Sequence, residues 1–137
     1  MGTWAVDAFG NDYAQDWAED LHETSNLDAV EDTLNTVLDS GAELEAPFAA
    51  EALAAIEVLA RLQGKGGARS EDSAAVDEWV AARKAKTVKP RADLAAKAAQ
   101  AIERILAPDS ELRQLWEDSE HYADWRASVE DLRARLA

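Results

Sequence analysis

Apolar residues recur along this chain at intervals of three and four, the spacing that gathers them on one side of a helix. Tyr13, Trp17 and Leu21 form the first such stripe, and Leu27, Val30, Leu34, Val37 and Leu38 form the second. A third runs through Phe48, Leu53, Ile56, Leu59 and Leu62, and a fourth through Val76, Trp79 and Val80. Leu94, Ala98, Ile102, Ile105 and Leu106 mark a fifth, and Leu112, Leu115 and Trp116 a short sixth. Tyr122, Trp125, Val129, Leu132 and Leu136 complete the series. No run of β-branched and aromatic residues alternates with period two over a useful length, so strands are not expected. The pattern predicts an all-α fold, a single compact bundle of about six to seven short antiparallel helices. An irregular N-terminal segment carrying Trp4 and Phe9 precedes it, and residues 1–137 are expected to form one domain.

The punctuation between stripes fits that reading. Asn11 and Asp12 are placed to cap the first helix, with Asp12 and Gln15 at capping-box spacing. Ser40-Gly41 should end the second helix with glycine in the left-handed region. Pro47 suits the first turn of the third helix, and Gly64-Lys65-Gly66-Gly67 reads as a flexible, solvated loop at its end. Lys84 to Pro90 reads as a basic connector, because the residue before a proline avoids helical angles.

Charge changes the picture more than composition does. The 137 residues carry 28 Asp and Glu against 14 Lys and Arg, a net charge of −14. Residues 1–60 contain fourteen of the acids and no Lys or Arg, since the first basic residue is Arg61. A field of that sign repels phosphate and attracts a basic partner, so no nucleic-acid or membrane-surface role is expected. The basic run Arg83, Lys84, Lys86, Lys89 and Arg91 is expected to offset the acidic region internally. There is no cysteine, which removes thiolate chemistry and disulfides. With no long apolar span and no signal-peptide pattern, a soluble cytoplasmic protein is expected.

Candidate chemistry is sparse. His121 has Asp118 three residues before it and Asp124 three after, which on a continuous helix would offer a metal one imidazole and two carboxylates. His22 lies among Glu19, Asp20 and Glu23. With so many carboxylates, either histidine acquires acidic neighbours by chance, and no Glu-x-x-His pair repeats. The glycine loop lacks the spacing of a phosphate-binding loop and follows no strand. No catalytic, cofactor-binding or metal-ligating residue is designated, and no cofactor is expected. Trp17, Trp79, Trp116 and Trp125 fall on apolar stripes and read as core.

The opening, Met1-Gly2-Thr3-Trp4-Ala5-Val6-Asp7-Ala8-Phe9-Gly10-Asn11-Asp12-Tyr13-Ala14-Gln15-Asp16-Trp17, resembles a bacterial family known as domain of unknown function 4259. Its members begin Met-Gly-Thr-Trp-Gly, then an aromatic residue, Asn-Asp and Ala-x-Asp-Trp; Ala5 here replaces the usual glycine. Asp109-Ser110-Glu111-Leu112-Arg113-Gln114-Leu115-Trp116-Glu117 is similar to the family's closing pattern. The resemblance implies a small helical protein and no assigned activity, so no catalytic residue carries over. Gly2, Trp4, Phe9, Asn11, Asp12, Asp16 and Trp17 are the shared motif residues. Helix capping and plugging of one end of the bundle account for them without a ligand.

Three functional classes follow. The first is a small acidic protein-binding or inhibitory module that captures a basic protein, by analogy with the immunity proteins of bacterial toxins. Its candidate surface is an acidic and aromatic patch made by Trp4, Asp7, Phe9, Asp12 and Asp16. The second is a carboxylate-dependent hydrolase, with or without a divalent metal. The third is a structural homodimer whose acidity serves solubility.

Overall fold

A computed structural model describes residues 7–23, 27–41, 43–67, 71–85 and 92–136. It is all-α among these residues, with seven helices in the order α1 (Asp12–Leu21), α2 (Asp28–Leu38), α3 (Ala46–Leu62), α4 (Ala74–Ala85), α5 (Ala92–Ile105), α6 (Glu111–Glu117) and α7 (Tyr122–Leu136). Helix α3 packs against each of the other six. Its composition explains why. Ala49, Ala50, Ala52, Ala54, Ala55 and Ala60 are buried on every side of it, and so small a side chain lets neighbouring backbones come close. A helix apolar all round is stable only inside, so the one-sided stripe expected for α3 is in fact a fully surrounded core helix. Only Pro47, Phe48, Glu51 and Leu62 escape full burial, and the first three form a single open strip.

The caps differ from the sequence expectation in instructive ways. Of the two residues expected to cap α1, Asn11 does so, its side chain accepting the Ala14 N–H at 2.9 Å, and Asp12 is the first helical residue. Gln15 does not close a capping box. Its Nε2 instead donates to the carbonyls of Phe9 at 2.7 Å and Asp72 at 2.8 Å, fastening the Phe9 loop to the start of α4. Gly41 is not in the left-handed region; Ser40 ends α2 by donating from both N–H and Oγ to the Val37 carbonyl. Gly64, at φ 75°, is the left-handed residue. It closes α3 with two bonds, Lys65 N–H to the Ala60 carbonyl and Gly64 N–H to the Arg61 carbonyl, the Schellman pairing.

At the other end of α3, Leu44 and Ser110 form an isolated parallel bridge, and Glu111 Oε1 accepts the Ala46 N–H at 2.8 Å. A carboxylate at that helix start suits the dipole. The four tryptophans expected in the core are there: Trp17, Trp79, Trp116 and Trp125 are all buried. Trp116 and Trp125 stack with centroids 6.1 Å apart, joining α6 to α7. Trp17 also donates to Thr33 Oγ1 at 2.8 Å, satisfying its indole N–H across to α2. Three stripe residues are displaced from the core: Tyr13, Phe48 and Leu115 are exposed, while their neighbours Ala14, Ala49 and Trp116 are buried.

Candidate functional site

Two places carry unusual side-chain arrangements. The first lies on the open strip of α3. Glu51 stands there half-buried, one turn beyond the exposed Phe48. Burial pushes its carboxyl above the usual glutamate value, and Asp20 and then Asp16 on α1 push it further. Among the described residues no cation pairs with Glu51, Asp16 or Asp20. Tyr13, Asp16 and Asp20 run along one side of α1 at helical spacing, and all three are exposed. On the α2 side, Phe48 and Glu51 meet Asp32, Thr33 and Thr36 around a shallow hollow of about 130 Å³. The result is a like-charged surface with two exposed aromatic rings.

The second place is a cleft of about 280 Å³ between α3, α7 and the loop entering α1. Phe9, Leu53, Val129 and Leu132 supply its apolar lining. At one wall Glu57, buried in the middle of α3, accepts from Arg61, from Arg135 and from the Gly67 N–H at 2.6 Å. Arg61 Nε also donates to Asp77 Oδ1 at 2.7 Å, and its guanidinium lies 5.2 Å from the Phe9 ring centre. Arg135 donates further to Asp131 and to the Lys65 carbonyl. Its bond to Glu57 holds the guanidinium more firmly protonated, against the opposing effect of burial. The glycine loop, expected to be flexible, is therefore fastened: Gly67 binds Glu57, and Gly66 lies so close to Arg61 that a Cβ there would collide with the Arg61 Cγ.

Of the residues singled out from sequence, the described ones, Asp7, Phe9, Asp12 and Asp16, are not gathered on one surface. Trp4 lies outside the described residues. Phe9 is 2% exposed, a core residue instead of a surface ring, because the Gln15 bonds draw its loop onto the bundle. Asp7 accepts the Phe9 N–H at 3.3 Å and faces the cleft, whereas Asp12 and Asp16 are exposed on α1 and Asp16 approaches Glu51. The basic run from residue 83 to residue 91 has no described side chain. The metal arrangement does not assemble: α6 ends at Glu117 with Asp118 as its C-cap, His121 sits in the turn, and His121 Nδ1 is 3.9 Å from Asp124 with both exposed. Among the described residues no group of three or more His, Cys, Asp or Glu is arranged to hold a metal ion. His22 Nε2 is 2.9 Å from the Ala75 carbonyl, a link between α1 and α4. No helix among the described residues is long and apolar enough to cross a membrane.

Glu51, Asp20, Phe48 and the Glu57–Arg61–Arg135 group were not legible as site residues. Each is an ordinary residue on a helix, and only the packing of α1 and α7 against α3 sets it apart. The spacing Asp12, Asp16, Asp20 was the available signal.

The model of the family described as Domain of unknown function (DUF4259) matches residues 2–128, and the chain belongs to that family. No curated protein and no solved structure matches it.

Proposed function

We propose that this member of the DUF4259 family is an acidic protein-binding module, acting in the cytoplasm, that captures a basic partner on the surface made by α1 and the open strip of α3. The observation that carries the reading is the exposed pair Asp16 and Asp20 on α1, which packs on α3 and whose charges raise the carboxyl of half-buried Glu51, with no described cation paired to any of the three. Like charges held at that proximity repel, and a partner's Lys or Arg would relieve the repulsion as it binds. Phe48 and Tyr13 beside them offer apolar area that a stable contact also needs. The motif residues Phe9, Asn11 and Trp17 have structural duties in the core and at a cap, whereas Asp16 has no described hydrogen bond or ion pair. Inhibition of the captured partner, in the manner of an immunity protein, is the finer form of the same reading.

The test compares the wild-type chain with the variant Asp16→Asn/Asp20→Asn/Glu51→Gln as immobilised baits in lysate of the source cell. Wild type should retain a basic protein at low salt and release it at high salt, and the variant should retain none. Equal retention by both baits, or a wild-type bait that holds no protein at low salt, counts against the reading.

A further inference from the structure

The cleft between α3 and α7 lies on a different side of α3 from the acidic strip, since six residues separate Glu51 from Glu57 and place them about 120° apart around the helix. It calls for a separate account. We infer that this cleft is a binding site for a small organic cation, an ammonium or guanidinium group carried on a compact apolar body. The inference goes further than capture of a basic protein and does not depend on it.

Three features point to that chemistry. The first is shape: about 280 Å³ lies near the lower end of ligand pockets, suited to a molecule of side-chain size and too small for a nucleotide cofactor. The second is the floor. Phe9, Leu53, Val129 and Leu132 underlie it, each at most 5% exposed, and most of the open surface of the cleft is carbon, over which an apolar body gains from leaving water.

The third is the charge balance. Four carboxylates, Asp7, Glu57, Asp72 and Asp131, line the cleft against two guanidiniums, Arg61 and Arg135. Both guanidiniums are already engaged. Arg61 is held by Glu57 and Asp77, and Arg135 by Glu57, Asp131 and the Lys65 carbonyl. An anion entering here would have to break those pairs. Asp7 and Asp72, both exposed, have no described cation opposite them, so among the described residues the unspent charge in the cleft is negative. A cation is the complement, and the apolar floor selects one with a hydrocarbon body over a bare metal ion or ammonium.

The experiment is a titration of the full chain with three probes of one shape: phenethylammonium, neutral 2-phenylethanol and anionic phenylacetate. Amide chemical shifts of Phe9, Val129 and Leu132 report the cleft directly. Phenethylammonium should shift these amides and bind at least tenfold more tightly than 2-phenylethanol, with phenylacetate weakest. Asp72→Asn should weaken phenethylammonium at least threefold while leaving the ligand-free melting temperature unchanged. The variant Asp16→Asn/Asp20→Asn/Glu51→Gln should bind it as wild type does, so that the cleft and the acidic strip are judged apart. Equal affinity for all three probes, tighter binding of phenylacetate, shifts confined to other amides, or no shift at roughly 10 mM phenethylammonium would overturn the inference.

Discussion

Arg135, near the end of α7, reaches Glu57 in the middle of α3 through two nitrogens, Nη1 at 2.9 Å from Oε1 and Nη2 at 3.0 Å from Oε2. This two-point contact ties the last helix to the central one across 78 residues of sequence. Glu57 and Arg61 are about as buried as the leucines beside them, so their charges depend on one another. Removing one member of a buried pair strands the other, which costs far more than the pair's net contribution. Glu57→Leu is therefore expected to lower stability by about 3 kcal/mol, as two guanidiniums lose a shared acceptor. Arg135→Met should cost less, about 1–2 kcal/mol, because Arg135 is partly exposed and Arg61 still covers Glu57. Urea unfolding of the two variants checks the order; an equal or reversed cost would mean that the network holds α7 less than its geometry implies.

The glycine loop gives a second ordering. A Cβ on Gly66 would collide with the side chain of Arg61, which Glu57 and Asp77 hold in place, so the neighbour cannot give way. Gly64 has open space around it but a φ of 75°, a conformation that costs other residues about 1–2 kcal/mol. Gly66→Ala is expected to be the more damaging, by roughly 2–3 kcal/mol, and Gly64→Ala to cost about 1 kcal/mol. Gly41→Ala should be close to neutral, since nothing lies within 4 Å and its φ is not left-handed. Thermal melts of the three variants separate these outcomes.

Glu51 links stability to pH. Its carboxyl binds a proton more tightly in the folded chain than in the unfolded one, owing to burial and to Asp20 and Asp16. Between the ordinary glutamate value and the raised one, the folded state holds more protons, so stability falls as pH rises through that window. Above the window the penalty is complete, and below it both states are protonated and the penalty vanishes. Glu51→Gln should thus be more stable than wild type at neutral pH. Discounted for solvent screening at this half-buried group, the gain is about 0.5 kcal/mol, or a Tm rise of roughly 2 °C. The two proteins should converge as pH falls below the ordinary glutamate range. A difference that does not shrink in acid would show that Glu51 is not under charge repulsion.

The indole of Trp17 offers a cleaner local test. Thr33→Val leaves its Nε1–H without the 2.8 Å acceptor in a partly buried position between α1 and α2. A loss of about 1–2 kcal/mol is expected, and Trp17→Phe in the same background should cost less than it does alone. Additive losses in that double-mutant cycle would mean the bond contributes nothing.

How much of this was readable in advance follows from what each residue is asked to do. The seven apolar stripes marked all seven helices, and Leu94, Ala98, Ile102, Ile105 and Leu106 are buried just as their spacing requires. Helical period reports which side faces inward when a helix has one inner side. It fails for α3, whose alanines admit neighbours on every side, and so it misplaced Phe48. The caps turned on side-chain choices that several residues could have made; Asn11 and Asp12 are both competent, and only the path of the Phe9 loop decides between them. The candidate patch was less legible. Asp16 was in it, and Asp20 follows one turn on along the same helix, but Glu51 joins them only through the packing of α1 on α3, which a single sequence does not encode as a pattern. Phe9 went the other way, drawn inside by Gln15, six residues on.

As proposed, the α1–α3 acidic strip recognises a basic partner by charge. The most direct measurement is the association rate of the captured partner across a salt series, for wild type and for Asp16→Asn/Asp20→Asn/Glu51→Gln. The wild-type rate is expected to fall steeply with ionic strength, and the variant rate to be at least tenfold lower at low salt with a flatter salt dependence. Equal rates for the two proteins, with the same salt dependence, would contradict the claim.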